Sequence, residues 1–314
     1  MRIVARTGGD RVAVATIAEI REGRFVEFVE SVQPPLPRSR KWVLIVSTMF
    51  GCPVGCLMCD AGGEYQGNLS AGEILSQIDW LVQRRFPDRR VEVDKFKIQF
   101  ARMGEPTLNM AVLEVLQELP LRYYAPGLMP SISTVAPSGS EAFFTRLLAV
   151  KRALYSGGRF QLQFSIHTTD GSLRDRLVPI RKWDFAEIAA FGDVFHEPGD
   201  RKITLNFALA DGMPVDPQTL LRHFDPERFL IKITPVNPTY AALKNGLASY
   251  IASAEEPDRG GVLRALRDVG YEVLVSIGEM EENLIGSNCG QYLRRHLKAE
   301  QPIRDSYTYQ VQRL

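Results

Sequence analysis

The sequence predicts an α/β fold, a partial (β/α)6 barrel with a small N-terminal β extension. Two observations support this prediction. Short apolar runs alternate with helix-like stretches along most of the 314 residues, which is typical of a parallel sheet with crossover helices. Polar and thiol side chains follow several runs directly, at the strand ends where such barrels carry their chemistry. The predicted division is extension and linker at 1–40, barrel at 41–292 and C-terminal tail at 293–314.

The N-terminal extension is predicted to contain a β-hairpin. Residues 12–17 and 24–29 are strand-like and flank Glu22 and Gly23, a pair that favours a tight turn. The Pro-rich run at 34–37 then predicts a stiff linker to the barrel.

The barrel elements follow in order. Residues 42–48 form a largely apolar run that predicts the first buried parallel strand. Ser70 is expected to cap the first helix, with Glu73 closing a capping box and the helix ending near Arg85. Further strands are predicted at 96–100, 131–134, 161–166, 202–208, 229–234 and 272–277. Helices are predicted between most of them, at 110–118, 140–154, 217–223 and 259–269.

Composition limits the classes of function. The apolar fraction of 45% and the charged fraction of 24% are ordinary for a soluble globular protein. No apolar run approaches the roughly 20 residues of a membrane span, and no secretory leader is visible, so we expect a cytoplasmic protein. The net charge of +1 lacks the basic excess typical of nucleic-acid binders, which disfavours RNA as a partner without excluding it.

Three of the four cysteines lie within eight residues. Cys52, Cys56 and Cys59 have the spacing C-x3-C-x2-C, which suits an iron–sulfur cluster with one iron left open. An open metal position allows a site to do chemistry. A structural zinc site usually takes four ligands, and the nearest histidine in sequence is His167. Zinc binding or chance spacing is therefore the less favoured interpretation.

The motif C-x3-C-x2-C resembles the signature of the radical S-adenosylmethionine (SAM) superfamily. Further segments resemble one subfamily, the class A methyltransferases, which comprise the rRNA/tRNA adenine-C2 enzymes and the chloramphenicol–florfenicol resistance enzyme. These segments lie at 68–74, 103–106, 131–134, 164–167, 177–180, 235–238 and 289–291. The resemblance spans about 42–292 and implies a radical SAM barrel. It also implies a [4Fe–4S] cluster, SAM chelated to the open iron and split to a 5′-deoxyadenosyl radical, and an external flavodoxin- or ferredoxin-type electron donor.

The same resemblance implies residues that contact SAM. Gly104 and Glu105 follow the second barrel strand, where glycine allows close backbone approach and a carboxylate suits the SAM amino group. Ser133 and Ser165 end two further strands and would contact the carboxylate or ribose of SAM. Isolated serines in such places more often cap the backbone.

Three more positions complete the implied SAM site. His167, preceded by Ile166, is either a proton donor beside SAM or a satisfied core residue. Asn237 lies between two prolines, where its amide either bridges the adenine or ribose of SAM or simply forms a turn.

Cys289 matches the methyl-carrying cysteine of the subfamily. The resemblance implies that one SAM methylates this sulfur, and that a second yields the radical that activates the methyl group for addition to an sp2 carbon. A lone cysteine is more often an inert buried residue. The chain also departs from the subfamily, because Ile45 replaces its second cysteine. In addition, Arg102 stands in an unusual Ala-Arg pair, where it could bind an anion or pair with a surface acid.

We therefore expect a class A-like radical SAM transferase that uses Cys289 as a one-carbon carrier. The substrate expected from composition and size is a small molecule or peptide in preference to rRNA. The alternative, motivated by Ile45, is direct hydrogen abstraction from substrate without methyl transfer. A third possibility is a non-catalytic electron carrier or zinc-binding module, which the open three-cysteine motif disfavours.

Overall fold

The structure is a computed structural model that describes residues 1–251, 258, 260–288, 290–293, 303 and 306–314. Within them, one sheet contains eleven strands. The strands are β1 (Arg2–Gly9), β2 (Ala13–Arg21), β3 (Arg24–Ser31), β4 (Lys41–Val46), β5 (Lys95–Phe100), β6 (Leu128–Thr134), β7 (Gln161–Ser165), β8 (Ile203–Leu209), β9 (Phe229–Pro235), β10 (Val273–Val275) and β11 (Gln312–Arg313). The helices are α1 (Ala71–Arg85), α2 (Ala111–Arg122), α3 (Glu141–Leu154), α4 (Gly171–Leu177), α5 (Phe185–Phe195), α6 (Pro217–Leu221), α7 (Tyr240–Lys244), α8 (Val262–Asp268) and α9 (Met280–Ile285).

Strands β4 to β10 are parallel neighbours in chain order and form the barrel wall. Six of them are each followed by at least one helix before the next strand, and the three-residue β10 comes last. In the part of the chain that the structure describes, β10 and β11 are the two edges of the sheet, so the wall is open. This confirms the predicted partial (β/α)6 barrel.

The N-terminal strands continue the barrel sheet. β2 and β3 form the predicted hairpin at Glu22 and Gly23, and β3 pairs antiparallel with β4, with Val29 opposite Ile45. β1 pairs with β2 on one side and with β11 on the other. β11 could not be predicted from the sequence, because a two-residue strand carries no alternation of its own.

Alternation along the barrel strands separates a packed face from a polar one. On β5, Phe96, Ile98 and Phe100 are fully buried in the main core, against the helices. Lys95 and Lys97, which alternate with these residues, therefore face the concave side of the sheet, here called the lumen, because successive side chains point to opposite faces.

Local signals set the helix ends. Ser70 and Glu73 form the predicted capping box at the start of α1, each satisfying a backbone N–H of the other. No helix in the described ranges is both long and apolar enough to cross a membrane.

Candidate active site

The candidate site lies at the C-terminal ends of the parallel strands. The cysteine loop follows β4, Gly104 and Glu105 follow β5, His167 follows β7 and Asn237 follows β9. Because the strands are parallel and adjacent, these segments meet along one rim of the barrel.

Glycines allow the cysteine loop to fold tightly. Gly51 has φ of 73°, and a Cβ atom there would lie 2.0 Å from the carbonyl oxygen of Glu64. The N–H of Cys59 donates to the carbonyl of Cys56 at 3.1 Å, and the N–H of Gly63 donates to the carbonyl of Cys52 at 3.1 Å. The backbone therefore wraps around a compact space, as a cluster-binding loop must.

The three cysteines are half-buried, and Cys52 and Cys56 pack against an apolar cluster that includes Val178 and Val236. Burial raises the pKa of the Cys52 thiol to about 11, while the N–H groups of Val54, Gly55 and Gly104 bond to its sulfur and oppose that rise. Burial also raises the pKa of Cys56 well above its usual value, and the neighbouring sulfurs of Cys59 and Cys52 add to the effect.

These surroundings fit an iron–sulfur cluster. Thiolates crowded in an apolar site need a cationic centre to ionise, and iron supplies it. N–H groups aimed at a ligand sulfur are among the features that tune such clusters. Within the described residues, no three His, Cys, Asp or Glu side chains converge as they would around a single metal ion. A four-iron cluster gives each cysteine a separate iron, so its ligands need no such convergence.

Gly104 and Glu105 lie directly against this loop. Gly104 has φ of 105°, and a Cβ there would approach Met49 Cγ to 2.6 Å and Thr48 Oγ1 to 2.7 Å. Glu105 is 4% exposed and accepts hydrogen bonds from the N–H and hydroxyl of Thr107 and the N–H of Val135.

Burial raises the pKa of Glu105, and in turn its charge raises the pKa values of Cys52 and Cys56. No cationic side chain among the described residues forms an ion pair with Glu105. A buried carboxylate of this kind suits an ammonium ligand, because buried charges are normally paired.

The remaining predicted SAM residues lie on the neighbouring strands. His167 is 6% exposed, with φ of 68°, and its Nδ1 accepts the N–H of Ala208 at 3.1 Å. Burial lowers its pKa to about 4, so the ring is neutral at physiological pH and Nε2 carries the proton. Ile166 is fully buried, and Ser133 accepts from the side chain of Gln163 at 3.2 Å.

Ser165 is half-buried at the last position of β7, and the half-buried Asn237 lies two residues after the end of β9. The carbonyl of Asn237 accepts the N–H of Thr239 at 2.8 Å, so the loop begins as a turn. The strands thus bring the predicted SAM residues to one rim, and their contacts with SAM stay a prediction.

Cys289 lies outside the described residues. Its neighbour Gly290 accepts a hydrogen bond from the N–H of Asp60 at 2.9 Å, and Asp60 directly follows Cys59. The segment that bears Cys289 therefore contacts the cysteine loop through the residue next to it.

Asp60 is a site residue that the sequence analysis missed. Its carboxylate accepts the N–H groups of Tyr240 and Ala241, at 3.1 and 2.7 Å, and the hydroxyl of Tyr307 at 2.8 Å. The only signal in the sequence was its position beside Cys59, because its partners come from remote parts of the chain.

Arg102 differs from both predicted roles. It is buried and pairs with Glu27 of β3, which is also buried and is not a surface acid. Glu27 itself gave no sequence signal, since it stands in an otherwise ordinary strand.

Comparison with known proteins identifies relatives. No family model matches the chain. A probable dual-specificity RNA methyltransferase RlmN from Desulfitobacterium hafniense (strain DSM 10664 / DCB-2) is 32% identical over 265 residues, which cover 82% of this chain and 68% of that protein. A solved structure of a radical SAM methyltransferase from Sphaerobacter thermophilus has a TM-score of 0.70 at 22% identity, over 93% of this chain and 81% of that one. Streptococcus suis SuiB bound to S-adenosylmethionine has a TM-score of 0.52 at 16% identity, over 77% and 51% of the two chains.

These relatives confirm the resemblance, the fold class and the enzyme class that the sequence predicted. Kinship with the relative from Desulfitobacterium hafniense also confirms the expected cofactors, a [4Fe–4S] cluster and SAM, at the level of the family. The chain belongs to the RlmN-type radical SAM methyltransferases.

Proposed function

We propose that this chain transfers a one-carbon unit from SAM, by way of Cys289, to an sp2 carbon of a base in RNA. The observation that carries the proposal is the hydrogen bond from Asp60 to Gly290, because it joins the residue after Cys59 to the residue after Cys289. A carrier cysteine must lie beside the cofactors, and this contact supports that arrangement.

In this proposal Cys52, Cys56 and Cys59 hold the cluster, and a flavodoxin- or ferredoxin-type protein reduces it. When bound, the cluster and SAM supply the methyl group and the one-electron chemistry. Glu105 accepts the amino group of SAM, which compensates its buried charge, and Gly104 lets the backbone approach.

The other strand ends orient SAM in this proposal. His167 presents Nε2–H as a donor, because Nδ1 is already occupied by the N–H of Ala208. The rest of the rim is lined by Ser133, Ser165, Ile166 and Asn237. The apolar clusters around the cysteines exclude water from the site.

Two observations favour RNA over the small molecule or peptide expected from composition. The relative from Desulfitobacterium hafniense is named an RNA methyltransferase. The lumen also concentrates positive charge, because Lys41 and Lys95 are direct neighbours on paired strands and Lys97 lies two residues further along β5.

Burial, followed by the charge of Lys232 on β9, lowers the pKa of Lys97 well below its usual value. Three strands separate β5 from β9, so the curved sheet brings these two lysines to face each other across the lumen. The carboxylate of Glu282 interacts electrostatically with Lys41 and Lys232. A phosphate in the lumen would offset the burial and mutual repulsion that lower the pKa of Lys97, and would stabilise the charged form of this lysine, whatever the net charge of the whole chain.

The test uses reconstituted holoenzyme, SAM and a short adenine-containing RNA, with adenosine and a peptide as parallel substrates. We expect a one-carbon addition to Cys289 in the absence of substrate, and methylated base only with RNA. Cys289→Ala should still release 5′-deoxyadenosine but transfer no carbon. Product formed by this variant, or an unmodified Cys289 throughout, would overturn the carrier role.

The alternative function is direct hydrogen abstraction from the substrate. Its motivation is Ile45, which pairs with Val29 and packs in an apolar cluster with Ile285 and Leu293, so no thiol is available there. Deuterium that moves from labelled substrate into 5′-deoxyadenosine would support this alternative, whereas label arriving only from the SAM methyl group would support the carrier route.

A further inference from the structure

We propose that Glu27 and Arg102 form a positioning pair that holds both sides of the loop at 286–293, and thereby sets the place of Cys289. The inference rests on the proposed carrier role of Cys289. It assigns a function to the N-terminal β extension, which supplies Glu27, and to the Arg102 by which this chain departs from the subfamily pattern.

Arg102 binds the loop before Cys289. Its Nη1 donates to the carbonyl of Ser287 at 3.1 Å and to that of Asn288, and its Nη2 donates to the carbonyl of Gly286. One guanidinium therefore holds three successive carbonyls that immediately precede position 289. Few other side chains offer donors in so rigid a fork.

Glu27 binds the loop after Cys289. One of its carboxylate oxygens pairs with Arg102, and the other accepts the N–H of Leu293. The two side chains together thus grip the loop on both sides of position 289, through the backbone alone.

Burial of this ion pair costs desolvation free energy. Both side chains are 0% exposed, and Arg102 Nε finds no hydrogen-bond partner in the part of the chain that the structure describes. Apolar residues of similar size often replace such pairs with no loss of stability. We therefore attribute the pair to positioning of the loop.

Other contacts hold the same loop to the cysteine loop. Asp60 bonds Gly290, and Tyr307 accepts the N–H of Tyr292 at 3.3 Å while donating to Asp60. These contacts fix the loop against the cofactor side. Arg102 supplies the side-chain donors to the three carbonyls before position 289, and the N–H of Gln291 is a second donor to that of Asn288, at 3.3 Å. Loss of the pair should therefore loosen residues 286–288 and 293 while the contact at 290 persists.

A carrier sulfur has to meet SAM and substrate in turn, so small displacements matter. A misplacement of about 1 Å can cost about 100-fold in rate. We expect the double variant Glu27→Leu/Arg102→Met to fold and to retain most of its SAM cleavage. Methylation of Cys289 should fall by about 100-fold relative to that cleavage. Arg102→Lys keeps the charge but not the fork, and should give an intermediate ratio.

Hydrogen–deuterium exchange of the holoenzyme gives a readout that does not depend on catalysis. The double variant should exchange faster in peptides that cover 286–293, with the cysteine loop unchanged. The matched control is Lys151→Met/Asp200→Asn, which removes another buried ion pair remote from the rim. This control should lower stability without changing the methylation-to-cleavage ratio.

The outcomes separate the two claims. Wild-type ratio and wild-type exchange in the double variant would overturn the positioning role. If wild-type Cys289 is never methylated, the carrier proposal fails, and faster exchange at 286–293 in the double variant would still support positioning of the loop. Slower methylation with an equal loss in the control variant would show only general destabilisation and would refute the inference.

Discussion

His167 combines a strained backbone conformation with a place in the candidate site. Its backbone lies in the left-handed region that non-glycine residues rarely occupy, and its ring is buried with Nδ1 bonded to the N–H of Ala208. Strain of this kind tends to persist where the surrounding structure demands it, often at functional sites.

His167 should make the protein less stable in mild acid. The unfolded chain takes up the imidazole proton near pH 6.5, whereas burial delays this in the fold to about pH 4. Stability is therefore lost as pH falls from about 6.5 to about 4, by about 3 kcal/mol in all. His167→Asn, which tolerates the same backbone region, should flatten this difference in denaturant unfolding at several pH values. An unchanged pH dependence in the variant would contradict the assignment.

Gly104 should not tolerate a methyl group. A Cβ there meets Met49 and Thr48 below 3 Å at a positive φ, so Gly104→Ala should cost more than about 1 kcal/mol and weaken SAM binding. Gly139→Ala is the control, because Gly139 also has a positive φ of 92° but open space around the added atom. Thermal unfolding and SAM titration of both variants separate the two causes. Gly139→Ala reports the effect of a positive φ alone, and Gly104→Ala reports the steric clash in addition. Equal losses in the two variants would argue against close approach at Gly104.

Among the elements, those with local signals were predicted closely. The capping box of α1 and the strand predicted at 96–100 each depend on a few neighbouring residues, and the structure has both where expected. Elements defined by distant partners were not predictable in this way. β11 forms by pairing with β1, which lies at the other end of the chain. Arg102 pairs with Glu27 on β3, 75 residues earlier in the sequence.

The hydroxyl of Tyr307 ties the segment at 306–314 to the cysteine loop. Tyr307 donates to Asp60 inside the protein, where burial raises its pKa well above the usual value. Tyr307→Phe removes the buried hydrogen bonds of its hydroxyl to Asp60 and Tyr292 and should cost about 1–3 kcal/mol. Tyr309→Phe is the matched control, since that hydroxyl bonds Glu281 nearer the surface. A thermal shift that is equal for the two variants would refute a special role for the Tyr307 hydroxyl.

At the scale of the whole molecule, the open sheet combines an apolar outer packing with a cationic lumen. The net charge of +1 hides this division, because composition averages over both faces. The sequence therefore predicted the barrel and the order of the site segments, but not which charges would face one another across the lumen.

The lumen predicts a particular salt dependence. If Lys97 contacts a phosphate, Lys97→Met should weaken RNA binding and reduce the slope of log affinity against log salt by about 1. Lys244→Met, on the exposed side of α7, is the control and should leave the slope unchanged. The measurement is the affinity for a short RNA at several salt concentrations. Equal slopes for the two variants would show that Lys97 does not contact a phosphate.

Asp60 links the cysteine loop to two remote parts of the chain, the start of α7 and Tyr307. Insertion of iron and sulfide should therefore stabilise the segment around Tyr307, because ordering the thiols also orders the Asp60 carboxylate beside them. Limited proteolysis near the carboxyl terminus becomes a simple gauge of cofactor loading: resistance should rise as the protein is reconstituted, and fade when a chelator strips it.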